Sequence, residues 1–333
     1  MHSYHTTSKN KIINIGILGL ASIAKRKLIP TILALPNKFK LIGVATRTRE
    51  ESDIFHKDLS CKIFNDYNAL VNYKNINAVY IPLPNSLHYY WAKKCLNKGL
   101  HVLVEKPATC SFNETKELID IASISGLSLV ETFQFRFHKQ FHLIQNLIKE
   151  KKIGNIRHIT TSFGFPKINF PNNIRYQKGL GGGSLFDAGV YPLKISSLLL
   201  GNNLKVNSSK LIKSSDLGID MWGSAILDEP SSGAISQISF GFDNYYKCCI
   251  DIWGTKGRIN ADRIFTAPSE LETKIQLDLN GISNTINVGK DDHFKNLMNY
   301  FYSTISNNNL IEDELKLIST QAKLVSEIQE KAK

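Results

Sequence analysis

Cysteine is scarce in this chain of 333 residues, with Cys61, Cys95, Cys110, Cys248 and Cys249 the only five. Their number is odd and none has CxxC spacing, which argues against a disulfide framework and against a structural zinc site, and no metal is expected. Most lie inside apolar runs, as reduced thiols used for packing do. No apolar run is long enough to span a bilayer. The opening MHSYHTTSKNK has no apolar segment of the secretory type and reads as a frayed leader, so the expected compartment is the cytoplasm and no membrane partner is expected. Internal repeats and low-complexity linkers are missing as well. Acidic residues are in deficit: 29 Asp and Glu against 41 Lys and Arg leave a formal net charge of +12. The basic residues are nonetheless scattered, without a dense block or helix-turn-helix spacing, so no nucleic-acid partner is expected and a small anionic ligand suits the charge better.

What the chain does contain is enough apolar residue, 42%, to bury a large core, and its length favours two domains. The most informative stretch is Ala78 to Pro107, AVYIPLPNSLHYYWAKKCLNKGLHVLVEKP. It reads as a buried strand, a polar turn, a helix and a second buried strand that ends on Glu105-Lys106-Pro107. Doubly wound sheets bind ligands at the carboxyl ends of their strands, which makes Lys106 a catalytic candidate. Pro107 biases Lys106 toward extended backbone and so keeps it at the strand end. The tripeptide alone fits an ordinary surface lysine equally well.

Upstream, the β-branched run Ile12 to Leu18 meets Gly19-Leu20-Ala21-Ser22-Ile23-Ala24 and then a helical pattern. This is a degenerate GxGxxG turn, with Gly19 kept and Ala21 and Ala24 in the later places; the helix start still offers amides to a phosphate. The next strand, in Lys40 to Arg49, ends on Thr46 and Arg47 where an NAD enzyme carries Asp or Glu. A guanidinium fork suits a 2′-phosphate, so NADP(H) is expected over NAD(H), although Arg47 and Arg49 could equally be solvated loop residues. Further strands at Lys62 to Phe64, Ala78 to Ile81 and Leu127 to Glu131 alternate with helices, one of them capped by Ser111. The expected fold is therefore α/β plus α+β: a doubly wound Rossmann domain over residues 1–132, then a mostly antiparallel sheet with helices on one face over 133–333. Six long strands are expected in the second half, then two amphipathic helices. Its second face, if apolar, would serve a homodimer or homotetramer.

A second constellation is GLGGGSLFDAGVY, Gly179 to Tyr191. Three glycines in a row permit a close backbone approach, and Ser184 is expected to cap the next helix. Asp187 and Tyr191, four apart, share a helical face, a carboxylate beside a phenol; Gly189 suggests a close neighbour. The competing reading is a glycine cap before an ordinary amphipathic helix.

Taken together, IGILGLASIA, PLPNSLHYYWA, EKP, ETFQFRFHKQ and IRYQKGLGGGSLFDAGVYPLK, in that order over residues 15–200, resemble the glucose-fructose oxidoreductase, inositol dehydrogenase and MocA family. The resemblance implies a catalytic set of Lys106, Asp187 and Tyr191. It places Gly19, Ala21, Ser22, Ile23, Thr46, Arg47, Pro82, Pro84, Asn85, His88, Glu105 and Lys106 around the cofactor, and Arg175, Asp187 and Tyr191 around the substrate. Tyr191 stands where inositol-dehydrogenase-like members have His, and LPNSLHY, FRFHKQ and FGFP followed by NIRYQ look most like the nucleotide-sugar 3-ketoreductase branch. The implied activity is hydride transfer between a nicotinamide and a sugar carbinol or ketone carbon. The alternatives are a dihydrodiol or small-carbonyl dehydrogenase and a non-catalytic dinucleotide sensor.

Overall fold

The computed structural model describes residues 11–46, 61–170 and 172–332. Arg47 and Arg49 lie outside them. Six parallel strands form the first sheet: β1 (Ile13–Leu18), β2 (Phe39–Ala45), β3 (Lys62–Phe64), β4 (Ala78–Ile81), β5 (His101–Val104) and β6 (Leu129–Glu131). Their order is β3-β2-β1-β4-β5-β6, so the chain reverses direction across the sheet between β1 and β4.

The strands are short apolar runs because both faces are covered. Leu18, Val79, Ile81, Val102 and Val104 pack on α2 (Tyr67–Val71), α3 (Asn85–Asn97) and α4 (Phe112–Ser125). Ile15, Ile17, Tyr80 and Leu103 face α1 (Ile29–Leu33). The cover is completed from the far end of the chain. Leu297 and Phe301 of α7 (His293–Thr304) join the second face, and Ile311, Leu315 and Ile318 of α8 (Asn308–Lys331) join the first.

The second sheet has eight strands rather than the six expected: β7 (Ile156–Phe165), β8 (Lys205–Lys213), β9 (Asp220–Glu229), β10 (Ala234–Phe242), β11 (Lys247–Gly254), β12 (Gly257–Asp262), β13 (Thr273–Leu279) and β14 (Ile282–Gly289). Only the β7–β10 pair is parallel. One face is packed by α5 (Lys139–Lys149), α6 (Val190–Leu200) and the second half of α8, through Phe141, Ile144, Leu193, Leu324 and Ile328. The other face is mixed rather than apolar: Trp222, Ile226 and Trp253 are exposed beside an ion pair between Arg258 and Asp251. Among the described residues no helix is long and apolar enough to cross a membrane, and all five cysteines are free thiols.

Candidate active site

Lys106 follows β5 directly, at the carboxyl edge of the first sheet, and the glycine-rich segment of the second domain closes over it. Its ammonium donates to the Asp187 carbonyl at 2.8 Å and to Asp187 Oδ1 at 2.9 Å. The other carboxylate oxygen, Oδ2, accepts from Arg175 Nε at 2.6 Å. Asp187 therefore sits between two cations, and the Tyr191 ring centroid lies 5.1 Å from the Lys106 ammonium. The structure thus brings together Lys106, Asp187, Tyr191 and Arg175.

The local backbone explains how. A π-helical turn, Leu185–Gly189, carries Asp187 and runs into α6, which carries Tyr191; such wide turns recur at functional sites. Gly182 and Gly183 are needed because the chain folds tightly here: a Cβ on Gly182 would fall 2.5 Å from the Arg175 carbonyl oxygen, and Gly183 has φ +121° with Asp220 Oδ1 beside it. Gly189 presses against the Phe240 ring, as its place in the helix suggested. Ser184 does not cap the turn. Its hydroxyl donates to Asp220 Oδ2 at 2.7 Å, and that same oxygen, brought in by β9, takes the Leu185 amide. Ser111 likewise stands at the start of α4 without a side-chain cap bond, Thr109 and Thr115 taking the neighbouring polar contacts.

Electrostatics set the protonation of the set. Burial pulls the Lys106 pKa down, but the charge and hydrogen bond of Asp187 outweigh it, and the net shift is upward. Burial alone would raise Asp187; Lys106 and Arg175 overcome it and hold the carboxyl at about 2. Burial raises Tyr191, Lys106 pulling the other way. At neutral pH the site holds an ammonium, a carboxylate and a neutral phenol. Tyr191 is fixed by its surroundings, with Phe133 and Phe163 rings edge-on at 5.5 and 5.3 Å. Glu105, at the strand end, accepts from the Tyr80 hydroxyl at 2.6 Å, and burial raises its pKa.

The other residues singled out from the sequence flank the reversal point between β1 and β4. Gly19 has φ +98°, and a Cβ there would meet Leu83 at 2.8 Å, so the turn requires glycine. Ala21, Ser22 and Ile23 open the helical segment that follows, whose first amides have no partner within a helix. Thr46 is buried just past β2. Pro82 and Pro84 form the turn after β4, and Asn85 reaches across to donate to the Gly181 carbonyl at 2.8 Å, joining the two halves of the cleft. His88 is not in the cleft. It is fully buried behind it, one ring nitrogen 2.8 Å from the Pro107 carbonyl oxygen and the other 2.7 Å from that of Leu83, so it ties the two turns together. This strand order, with a glycine turn opening a helix at the switch point, fits a dinucleotide. No cluster of three or more His, Cys, Asp or Glu able to hold a metal occurs among the described residues.

Sequence reasoning overlooked a buried charge cluster behind the site: Glu131, Lys194, Arg136 and Glu314. A signal for it exists. Lys194 is the one charged residue in the helix VYPLKISSLLL, and a lysine buried there needs a partner.

Comparison with known proteins agrees with this architecture. Residues 13–133 match the model of an oxidoreductase family with an NAD-binding Rossmann fold, and residues 141–260 match a GFO/IDH/MocA C-terminal domain. A dTDP-3,4-didehydro-2,6-dideoxy-alpha-D-glucose 3-reductase of Streptomyces violaceoruber is 35% identical over 81% of this chain and 78% of its own length. A D-xylose 1-dehydrogenase (NADP(+)) of Haloferax volcanii is 32% identical over 77% and 79%. The crystal structure of KijD10, a 3-ketoreductase from Actinomadura kijaniata in complex with NADP and TDP-benzene, superposes with a TM-score of 0.91 at 29% identity, covering 96% of this chain and 98% of that one. With both domains matched and the two constellations meeting in one cleft, the chain belongs to the GFO/IDH/MocA family of oxidoreductases.

Proposed function

We propose that this protein reduces a ketone carbon of a nucleotide-linked sugar with NADPH. The observation that carries the reading is the Lys106 ammonium, held 2.9 Å from Asp187 with its pKa raised. Such a group is a proton donor at neutral pH, not a base, and the neutral Tyr191 phenol beside it is a donor too. Bound NADPH supplies the hydride. Lys106 and Tyr191 give or share the proton that the developing alkoxide takes up, and Asp187 keeps Lys106 charged and aimed while Arg175 holds Asp187 from the other side. The substrate class rests on the 3-ketoreductase relatives, and the cofactor on the NADP named for KijD10 and for the Haloferax relative.

A panel of nucleotide-linked keto-sugars, free sugars and dihydrodiols, read by nicotinamide absorbance, tests the substrate. Turnover confined to free aldoses or diols overturns the proposal. For the cofactor, Arg47→Ala should lower catalytic efficiency with NADPH by about 10- to 100-fold, the value of a charged hydrogen bond, and leave NADH nearly unaffected. A wild-type preference for NADH refutes the choice. The boundary near residue 132, with α7 and α8 returning to the cofactor domain, a homodimer or homotetramer built on the open face of the second sheet, and a cytoplasmic location belong to the same reading. Light scattering on the purified protein checks the assembly.

A further inference from the structure

The helix that carries Tyr191 also carries Lys194, three residues on and on the same face. Lys194 is fully buried, and its ammonium donates to the Leu317 carbonyl of α8 at 2.9 Å. It lies 3.6 Å from Glu131 Oε2, an oxygen that makes no hydrogen bond. Glu131 is the last residue of β6, and its other oxygen accepts from the Ala108 amide at 2.8 Å, two residues beyond Lys106. The same helical segment therefore meets the sheet edge twice. Asp187 meets the lysine after β5, and Lys194 meets the glutamate ending β6.

We infer that the Lys194–Glu131 pair is a second clasp that positions the active site: it fixes the helix bearing Tyr191 on the sheet edge and holds the Lys106 turn through Ala108. Neither residue is placed to touch substrate, so both are positioning residues, and the inference rests on the catalytic roles proposed above for Lys106 and Tyr191. A buried ion pair is poor ground for stability, since replacing both charges with neutral groups is often neutral or stabilising. Its use is to select one packing of the helix. The groups facing the pair support the reading. Arg136 and Glu314, 2.8 Å apart at both contacts, complete a neutral cluster of two cations and two anions. Burial lowers Lys194 to about 8 against the pull of Glu131 and Glu314, and burial raises Glu131.

The test uses Lys194→Met, Glu131→Gln and the double variant in the full chain. Each single variant should lose thermal stability by leaving one buried charge unpaired, and kcat should fall by about 10- to 100-fold, the scale of a displacement near 1 Å at the reacting groups, with KM for NADPH unchanged. The double variant should recover stability but not kcat. A double variant that recovers both overturns the inference, because the pair would then only neutralise itself. If wild type turns over none of the panel, the proposed function fails instead, and the clasp is judged on a crystal structure of the double variant. A Tyr191 ring moved from its 5.1 Å distance to the Lys106 ammonium supports the clasp; an unmoved one overturns it.

Discussion

Two lysine–carboxylate pairs flank one helix, and their electrostatics are opposite. In the cleft, Lys106 makes two short hydrogen bonds to Asp187, and Arg175 backs the carboxylate, so Lys106 is pushed up and Asp187 falls to about 2. Behind it, Lys194 stands 3.6 Å from Glu131 with a single carbonyl bond; Lys194 falls to about 8 and Glu131 rises. Burial acts on all four groups, and what differs is how well hydrogen bonds replace the lost water. The first pair is locked in its ionised form, as a proton donor requires. In the second, burial works against both charges, lowering Lys194 and raising Glu131. The two pairs differ in distance, 2.9 Å against 3.6 Å, and in the hydrogen bonds each carboxylate accepts.

The largest test of this contrast is Lys106→Ala, which should cut kcat by about 10² to 10⁴-fold, the range of a lost general acid. Binding of NADPH, followed by its fluorescence, should be largely kept; activity near wild type would remove Lys106 from the chemistry. Next, Asp187→Asn should lower kcat by about 10²-fold through misplacement. It should also move the alkaline limb of the kcat profile to lower pH, because burial then acts on Lys106 without the opposing carboxylate. An unmoved limb would mean that Lys106 is not the titrating acid.

Smaller effects appear in stability. Asp187 titrates at about 2 in the fold against 3.8 ordinarily, so its contribution is full above that ordinary value and is lost as pH falls toward 2. The stability gap between wild type and Asp187→Asn should therefore close in acid, followed by chemical denaturation across that range. Lys194 gives the reverse case. With its pKa lowered from 10.5 to about 8, the unfolded chain binds more protons between those values, and stability rises with pH across them. Lys194→Met should lack that rise, and an identical alkaline dependence would place the depressed titration elsewhere.

Much of this was legible in the sequence where local pattern decides. The parallel strands are short apolar runs with helices between them, and the glycines at 181–183 announce a backbone crowded by its neighbours. Lys106 and Asp187 could be paired only through resemblance, since 81 residues separate them. What escaped depends on distant chain. Asp220 takes over the capping that Ser184 suggested from 36 residues away. The strands Gly257–Asp262 and Ile282–Gly289 were missed because GRINAD and ISNTINVG are rich in glycine and polar residues, and the second is a largely exposed edge that needs no apolar side. Whether the open face is apolar could not be read from the strands alone: Arg258, Asp251 and Asn260, from two neighbouring strands, meet on it beside the exposed Trp253.

The helix Asn308–Lys331 packs its first half on one sheet and its second half on the other. Its consequence reaches the order of folding. Arg136 and Glu314 lie 178 residues apart, so the cofactor-binding sheet cannot finish its own core until a segment from the far side of the second domain has arrived. Contacts that distant form slowly, and until they do, the faces of Leu118 and Ala122 stay open to other chains. Residues 11–133 made alone would carry the fingerprint of a dinucleotide domain and yet behave as an aggregation-prone fragment. The two sheets are built from separate stretches of chain, but the helix Asn308–Lys331 belongs to the cores of both.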